Sequence, residues 1–321
     1  MSDIVDLVGT ASERIFSAMG THAHVLVVGG GPELLEQAVE RVAELERRWS
    51  RFLPTSDVSR LNGAAGEMVA VSPETYLLVS RAIEAWRLTD GLYDPTVLPA
   101  LVAAGYDRSF TDPACGVHHA SDSSPAGVPS PGAADIELEP TLRTVRLPAG
   151  VAIDPGGIGK GLAADLVVAE LMAAGAAGAC VNLGGDVRVG GRAPTEHGWV
   201  LGVEDPITAG QVVPVRLDGE AVVTSTRRLR RWMRGGRSLH HLIDPRTGEP
   251  STSSLHTATV VARQAWWAEV LAKAAIIAGP LAAPALLALA GADALVASDT
   301  GMVAELGGWA QRVASVAGAT G

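Results

Sequence analysis

The chain has 321 residues, 47% of them hydrophobic, enough apolar material for one large core or two average ones. A net charge of −10 argues against nucleic acid as a partner, because a phosphate backbone rewards a basic face. The two cysteines, Cys115 and Cys180, stand in no metal-ligand or redox spacing and give no support to a disulfide scaffold.

The opening stretch MSDIVDLVGTASERIF carries acids early and has no basic segment followed by an apolar one, so no secretory leader is expected. Phe16 to Val28 begins with Ser17-Ala18-Met19-Gly20-Thr21 and passes into alternation at Ala23, Val25 and Val27, which reads as a strand. Gly29-Gly30-Gly31-Pro32 then leads into a helix over Glu33 to Trp49, with Leu34, Leu35, Ala38, Val42 and Leu45 on one face. A dinucleotide fingerprint fails there, since its third glycine would be Leu34. Ser50 to Asn62 is polar, with Ser56 and Asp57 as caps for a short helix. Pro73 to Leu88 reads as another helix, running into the loop Asp90-Gly91-Leu92-Tyr93-Asp94-Pro95-Thr96. Residues 112–135 cannot bury a core and predict an exposed or flexible insert, whose pair His118–His119 reads as solvated rather than metal-binding.

After a hairpin over Ile136 to Leu147, Val151-Ala152-Ile153 reads as a strand entering the glycine turn Asp154-Pro155-Gly156-Gly157-Ile158-Gly159-Lys160-Gly161. Leu162, Leu166, Val167 and Leu171 follow at helical spacing. Such a turn lets backbone N–H groups approach an anion, and Lys160 adds a point charge; a tight connection with a solvated lysine is the alternative. The spacing fits no nucleotide-hydrolase loop, which would need glycine where Asp154 stands. A buried strand from Ala179 breaks at Gly184-Gly185, where Asn182 and Asp186 read as turn-holding residues. Strands at Trp199–Val203, Val213–Leu217, Ala221–Thr224 and Thr257–Val261 follow. Between the last two, Ser238 to Pro250 gathers two histidines, an acid, an arginine and a glycine turn, with His240 read as a surface residue. A helix over Trp266 to Ile277 carries Glu269 and Lys273, and Trp266–Trp267 read as packing. Gly279, Pro280 and Pro284 break the alanine-rich stretch beyond it, so no uninterrupted membrane span is expected. A soluble cytoplasmic protein is the default. Strands joined by short turns and single helices predict one domain over 1–321, of α+β class, with mainly antiparallel sheets covered by helices.

Six motifs, in order, resemble the ApbE family of FAD:protein FMN transferases. They are Met19-Gly20-Thr21, Ser56-Asp57-Val58-Ser59-Arg60-Leu61-Asn62, the loop Asp90 to Thr96, Gly156 to Gly161, Val181-Asn182-Leu183-Gly184-Gly185-Asp186, and His241-Leu242-Ile243-Asp244-Pro245-Arg246-Thr247-Gly248. The resemblance implies cleavage of the FAD diphosphate and attachment of FMN to a Ser or Thr hydroxyl of an acceptor protein, usually with Mg²⁺. It implies a flavin nucleotide site at Met19, Phe52, Leu92, Tyr93, Asp94, Lys160, Leu166 and Ile243, and a metal held by the Ala163 carbonyl and Glu269. Phe52 stands where the family often has Tyr. His241 is the candidate for proton handling at the acceptor hydroxyl, and Asp244 either orients it or holds a turn.

One segment departs from the family pattern, whose metal site ends in an Asp and, four residues on, a Thr. Here these are Glu269 and Lys273. A protonated lysine cannot ligate Mg²⁺ and repels it, while at i, i+4 it can pair with Glu269. Either Lys273 takes over part of the metal's electrostatic role as a catalytic group, or the chain is an FAD-binding carrier that transfers poorly. The tail Ala317-Gly318-Ala319-Thr320 faintly resembles a flavin acceptor site but reads as a frayed terminus.

Overall fold

The computed structural model describes residues 11–109, 127–208 and 210–314. Cys115, His118–His119, residues 112–126 of the expected insert and the tail at Thr320 lie outside the described residues. The stretch just after them is tied to the body: Ser130 N donates to the Pro245 carbonyl at 2.8 Å, and Ala133 is fully buried.

Eight strands build one sheet: β1 (Ala11–Ala18), β2 (Thr21–Val28), β3 (Gly178–Leu183), β4 (Asp186–Gly191), β5 (Ala221–Thr226), β6 (Leu255–Ala262), β7 (Asp293–Ser298) and β8 (Val303–Leu306). They lie side by side in chain order and every neighbouring pair is antiparallel. The single strand expected from Phe16 is the second arm of a hairpin. Met19 and Gly20 both have positive φ, 52° and 67°, giving the two-residue turn whose twist matches that of paired strands.

The excursion from β2 to β3 carries α1 (Pro32–Trp49), α2 (Asp57–Gly63), α3 (Pro73–Leu88), α4 (Leu98–Ala104) and α5 (Gly159–Ala173). Helix α6 (Ala265–Leu289) joins β6 to β7, and α7 (Trp309–Arg312) follows β8. Alternation along the strands decides which layer each side chain meets. Ala23, Val25 and Val27 of β2 share a core with α1, α3 and α5, whereas Val28 packs on the opposite face with Trp199, Val215 and Trp309. Helix α6 is long and apolar enough by composition to cross a membrane, yet Leu271, Ile276 and Leu287 pack on Val260 and Val296 of the sheet. It kinks at Gly279, whose φ of 79° lies outside helical range, and both prolines sit just beyond.

Val151-Ala152-Ile153 is not a strand. The Asn62 side chain takes both backbone groups of Ile153, accepting from its N–H at 2.8 Å and donating to its carbonyl at 2.9 Å. An amide side chain thus replaces the strand partner that would have made a ladder.

Candidate active site

A cavity of about 730 Å³ opens between the β1–β2 turn, the loop Leu92–Asp94, the glycine turn before α5, and the segment His241–Ile243. Met19, Phe52, Leu92, Tyr93, Asp94, Lys160, His241, Ile243 and Lys273 all line it, although they are scattered over most of the chain. Each of these is a residue that the sequence singled out.

The glycine turn is shaped by close approach. A side chain at Gly157 would come within 2.7 Å of the Tyr93 ring, and one at Gly161 within 2.4 Å of the Ala265 carbonyl. Gly161 therefore lets α5 lie directly against the start of α6. Asp165 on α5 fixes the same contact, accepting from Ala265 N at 2.9 Å and Trp266 N at 3.0 Å, two otherwise unpaired donors at a helix start. This docking carries Glu269 onto the N-terminus of α5.

Glu269 is 0% exposed and accepts three bonds. Lys160 Nζ at 2.7 Å and Lys273 Nζ at 3.0 Å share Oε1, and Gly161 N at 2.9 Å donates to Oε2. Lys160 also pairs with the buried Asp186. Two ammoniums and two carboxylates thus form one buried, charge-balanced network on the cavity wall. Burial alone would push the Glu269 carboxyl up, but Lys160, Lys273 and the Gly161 N–H outweigh it and hold it at about 2. Burial, only partly offset by the attraction of Glu269, holds the Lys273 ammonium below its ordinary range. The glycine turn does place an N–H against an anion, as its composition suggested; the anion is the protein's own Glu269.

On the same cavity, burial and the nearby charges of Arg230 and Lys273 push the His241 imidazole well below its usual value, so it is neutral. Its Nδ1 is buried with no partner. The Tyr93 hydroxyl is likewise buried and unpartnered, with burial and then Glu269 raising its pKa. At the mouth, Phe52 is 36% exposed; the Arg51 guanidinium lies 4.2 Å from its ring centroid and 4.6 Å from that of Tyr106. Asp94 caps its own turn through Thr96 N at 2.8 Å.

Several expected members lie elsewhere. Leu166 packs at the edge of the helical core, since six residues along α5 carry it about 240° around from Lys160. Ala163 is fully buried within α5 and does not line the cavity. Asp244 is a turn residue: it receives Arg246 Nε at 2.9 Å and Arg246 N at 3.0 Å, while Ile243, its neighbour on the short strand Ile243–Asp244, lines the cavity. His240 is buried, bonded through Nε2 to the Ser251 carbonyl at 3.1 Å, and is not a surface residue. Asn182 holds its turn as expected, accepting from Gly185 N at 2.8 Å. Asp186 instead joins the lysine network. Sequence reasoning also missed Arg51, Tyr106 and Arg230 on the cavity wall, none of which falls in a motif.

The residues present do not fit a divalent ion. Both oxygens of Glu269 are engaged, one of them by two ammoniums, and Lys273, which stands where the family resemblance implies a Thr ligand, carries an ammonium that cannot ligate a cation. Among the described residues no group of three or more His, Cys, Asp or Glu side chains could hold a metal.

A pocket with aromatic rings at its mouth and buried ammoniums on its wall has the chemistry to receive an aromatic ligand carrying concentrated negative charge. The ApbE family model matches residues 19–296, and the chain belongs to that family. An FAD:protein FMN transferase of Rhodobacter capsulatus is 33% identical over 213 residues, covering 64% of this chain and 39% of that relative, so the match spans less than half of the relative's length. One from Treponema pallidum is 30% identical over 328 residues, covering 89% of this chain and 85% of the relative. The ApbE protein of Thermotoga maritima superposes with a TM-score of 0.82 at 26% identity, over 95% of this chain and 100% of that one. The apo form of the Pseudomonas stutzeri flavinyl transferase ApbE shares the fold, with a TM-score of 0.80 at 24% identity over 96% and 98% of the two chains.

Proposed function

We propose that the protein is an FAD:protein FMN transferase. The observation that carries this reading is the meeting of a neutral imidazole, His241, and a buried ammonium pair, Lys160 and Lys273, on one cavity of about 730 Å³. The acceptor protein's Ser or Thr hydroxyl oxygen attacks the FMN phosphorus of FAD. The bond from that phosphorus to the AMP oxygen breaks, AMP leaves with the bonding pair, and FMN remains on the acceptor as a phosphoester. The hydroxyl proton goes to His241. Burial, Arg230 and Lys273 keep that imidazole weakly basic in the free protein, and a bound diphosphate opposes these cations, so its basicity rises when substrate is in place. The lysines attract the diphosphate oxygens and stabilise the charge that builds on departing AMP. Phe52 and Tyr106 offer faces to the flavin or adenine at the mouth.

The test is incubation of the full chain with FAD and a threonine-containing acceptor domain, followed by flavin fluorescence in a denaturing gel and measurement of AMP. A fluorescent acceptor band with matching AMP is expected. Retention of FAD with neither product would leave only a carrier and overturn the reading.

A further inference from the structure

The lysine network resolves what replaces the divalent ion that the family resemblance implies and these residues do not accept. We propose that Lys273, anchored by Glu269 beside the Lys160–Asp186 pair, is the cationic group that engages the diphosphate, so that this chain binds FAD and transfers FMN without a metal. The inference rests on the transferase reading for its substrate.

Three observations carry it. First, the two ammoniums are unequally committed. Both line the cavity, but Lys160 is ion-paired with Asp186 and Glu269, whereas Lys273 is ion-paired with Glu269 alone. An ammonium has three donors, so Lys273 keeps donors for a ligand while Lys160 and Asp186 hold the local charge in balance. Second, the Lys273 stem lies against the glycine turn: a Cβ built on Gly157 would stand 3.6 Å from Lys273 Cδ and 2.7 Å from the Tyr93 ring. The turn, the lysine and the tyrosine therefore share one small region of the wall. Third, the Tyr93 hydroxyl in that region is buried with no partner. A buried unpaired donor is costly unless a ligand satisfies it, and a phosphate oxygen accepts from a hydroxyl and an ammonium together. A fixed buried ammonium also fulfils the requirement that charge stabilisation be in place before the reaction.

The experiment is calorimetry on the full chain with two ligands, FAD and riboflavin, which has the ring system and no phosphate. Each is titrated in chelator and in Mg²⁺. FAD affinity is expected to agree within about twofold between the two conditions, as it must if no ion takes part. Lys273→Met should weaken FAD by about 10- to 100-fold and leave riboflavin unchanged, because only the diphosphate loses a charge-assisted bond. The paired change Glu269→Asp with Lys273→Thr should make FAD binding respond to Mg²⁺. Where Lys273→Met does not fold, Lys273→Gln serves, with circular dichroism confirming structure. A tenfold or greater loss of FAD affinity in chelator, restored by Mg²⁺, would overturn the proposal, as would equal weakening of FAD and riboflavin. Tight metal-free FAD binding with no FMN on any acceptor would refute the transferase reading and leave the lysine site standing. No FAD binding in either condition would sink both.

Discussion

Glu269→Gln is the change that most sharply tests whether the buried network is a brace. The substitution keeps shape and volume but removes the charge that faces two ammoniums, 2.7 and 3.0 Å away, and turns an NH₂ toward either those ammoniums or the Gly161 N–H. Removing one partner of a buried ion network typically costs about 3–5 kcal/mol, because the remaining charges stay desolvated and unpaired. Linkage agrees in direction: the neighbouring cations hold the carboxyl below its ordinary 4.5, at about 2, so it stabilises the native state at neutral pH, while burial holds Asp186 of the same network up at about 6 and works against it. The sign follows from the depressed value: the contribution is complete above 4.5 and lost as pH falls toward 2. Urea unfolding followed by tryptophan fluorescence at neutral pH reads the difference directly. The variant should lose about 3 kcal/mol, and the gap to the parent should close as the parent is acidified. A loss below about 1 kcal/mol with unchanged slope would show that the network does not brace the fold.

His241→Ala should lower the transfer rate by about 10²- to 10⁴-fold with little change in FAD affinity, read by AMP release; a near-parental rate would remove His241 from proton transfer. Asp244→Asn should leave that rate within a few-fold of the parent, since the Asp244 carboxylate serves the Arg246 turn. FAD affinity should fall as pH rises through the depressed Lys273 value, because the neutral amine no longer attracts a diphosphate. Binding at alkaline pH should then take up protons, visible as heats that vary with buffer ionisation enthalpy; uptake that persists unchanged in Lys273→Met would point to another group. Gly161→Ala should destabilise the fold by about 1–3 kcal/mol or more in thermal unfolding, as its methyl group meets the Ala265 carbonyl and pushes α6 off α5.

The legible parts of this fold were those where local chemistry decides. The apolar period from Leu34 to Leu45 and the pairing of Pro32 with Glu33 mark α1 to within a residue, and Ser56 caps α2 by accepting from Ser59 N as its position suggests. Strand β1 escaped because it is an edge strand with little buried surface: Ile15 is 70% exposed, so no apolar alternation records it. Val151–Ile153 misled for the opposite reason, as an apolar run whose backbone is paired by a side chain from α2. Within the site, the motifs supplied Met19, Leu92, Tyr93, Asp94, Lys160, His241 and Ile243 of the cavity lining, but the role of Asp186 depends on a contact with Lys160, which sits in another element, and on burial. Its setting after Gly184-Gly185 resembles any turn. Asp244 shows the converse: a carboxylate near a histidine in sequence, drawn by strand alternation into a turn with Arg246.

Metal-free flavin transfer is the most direct test of the whole account. The chain, FAD and a threonine-bearing acceptor domain are combined in excess chelator and, separately, in Mg²⁺, and flavin on the acceptor and free AMP are followed together. Equal labelling and equimolar AMP in both tubes is the expected result. Labelling that appears only with Mg²⁺ would mean that an ion, and not Lys273, meets the diphosphate.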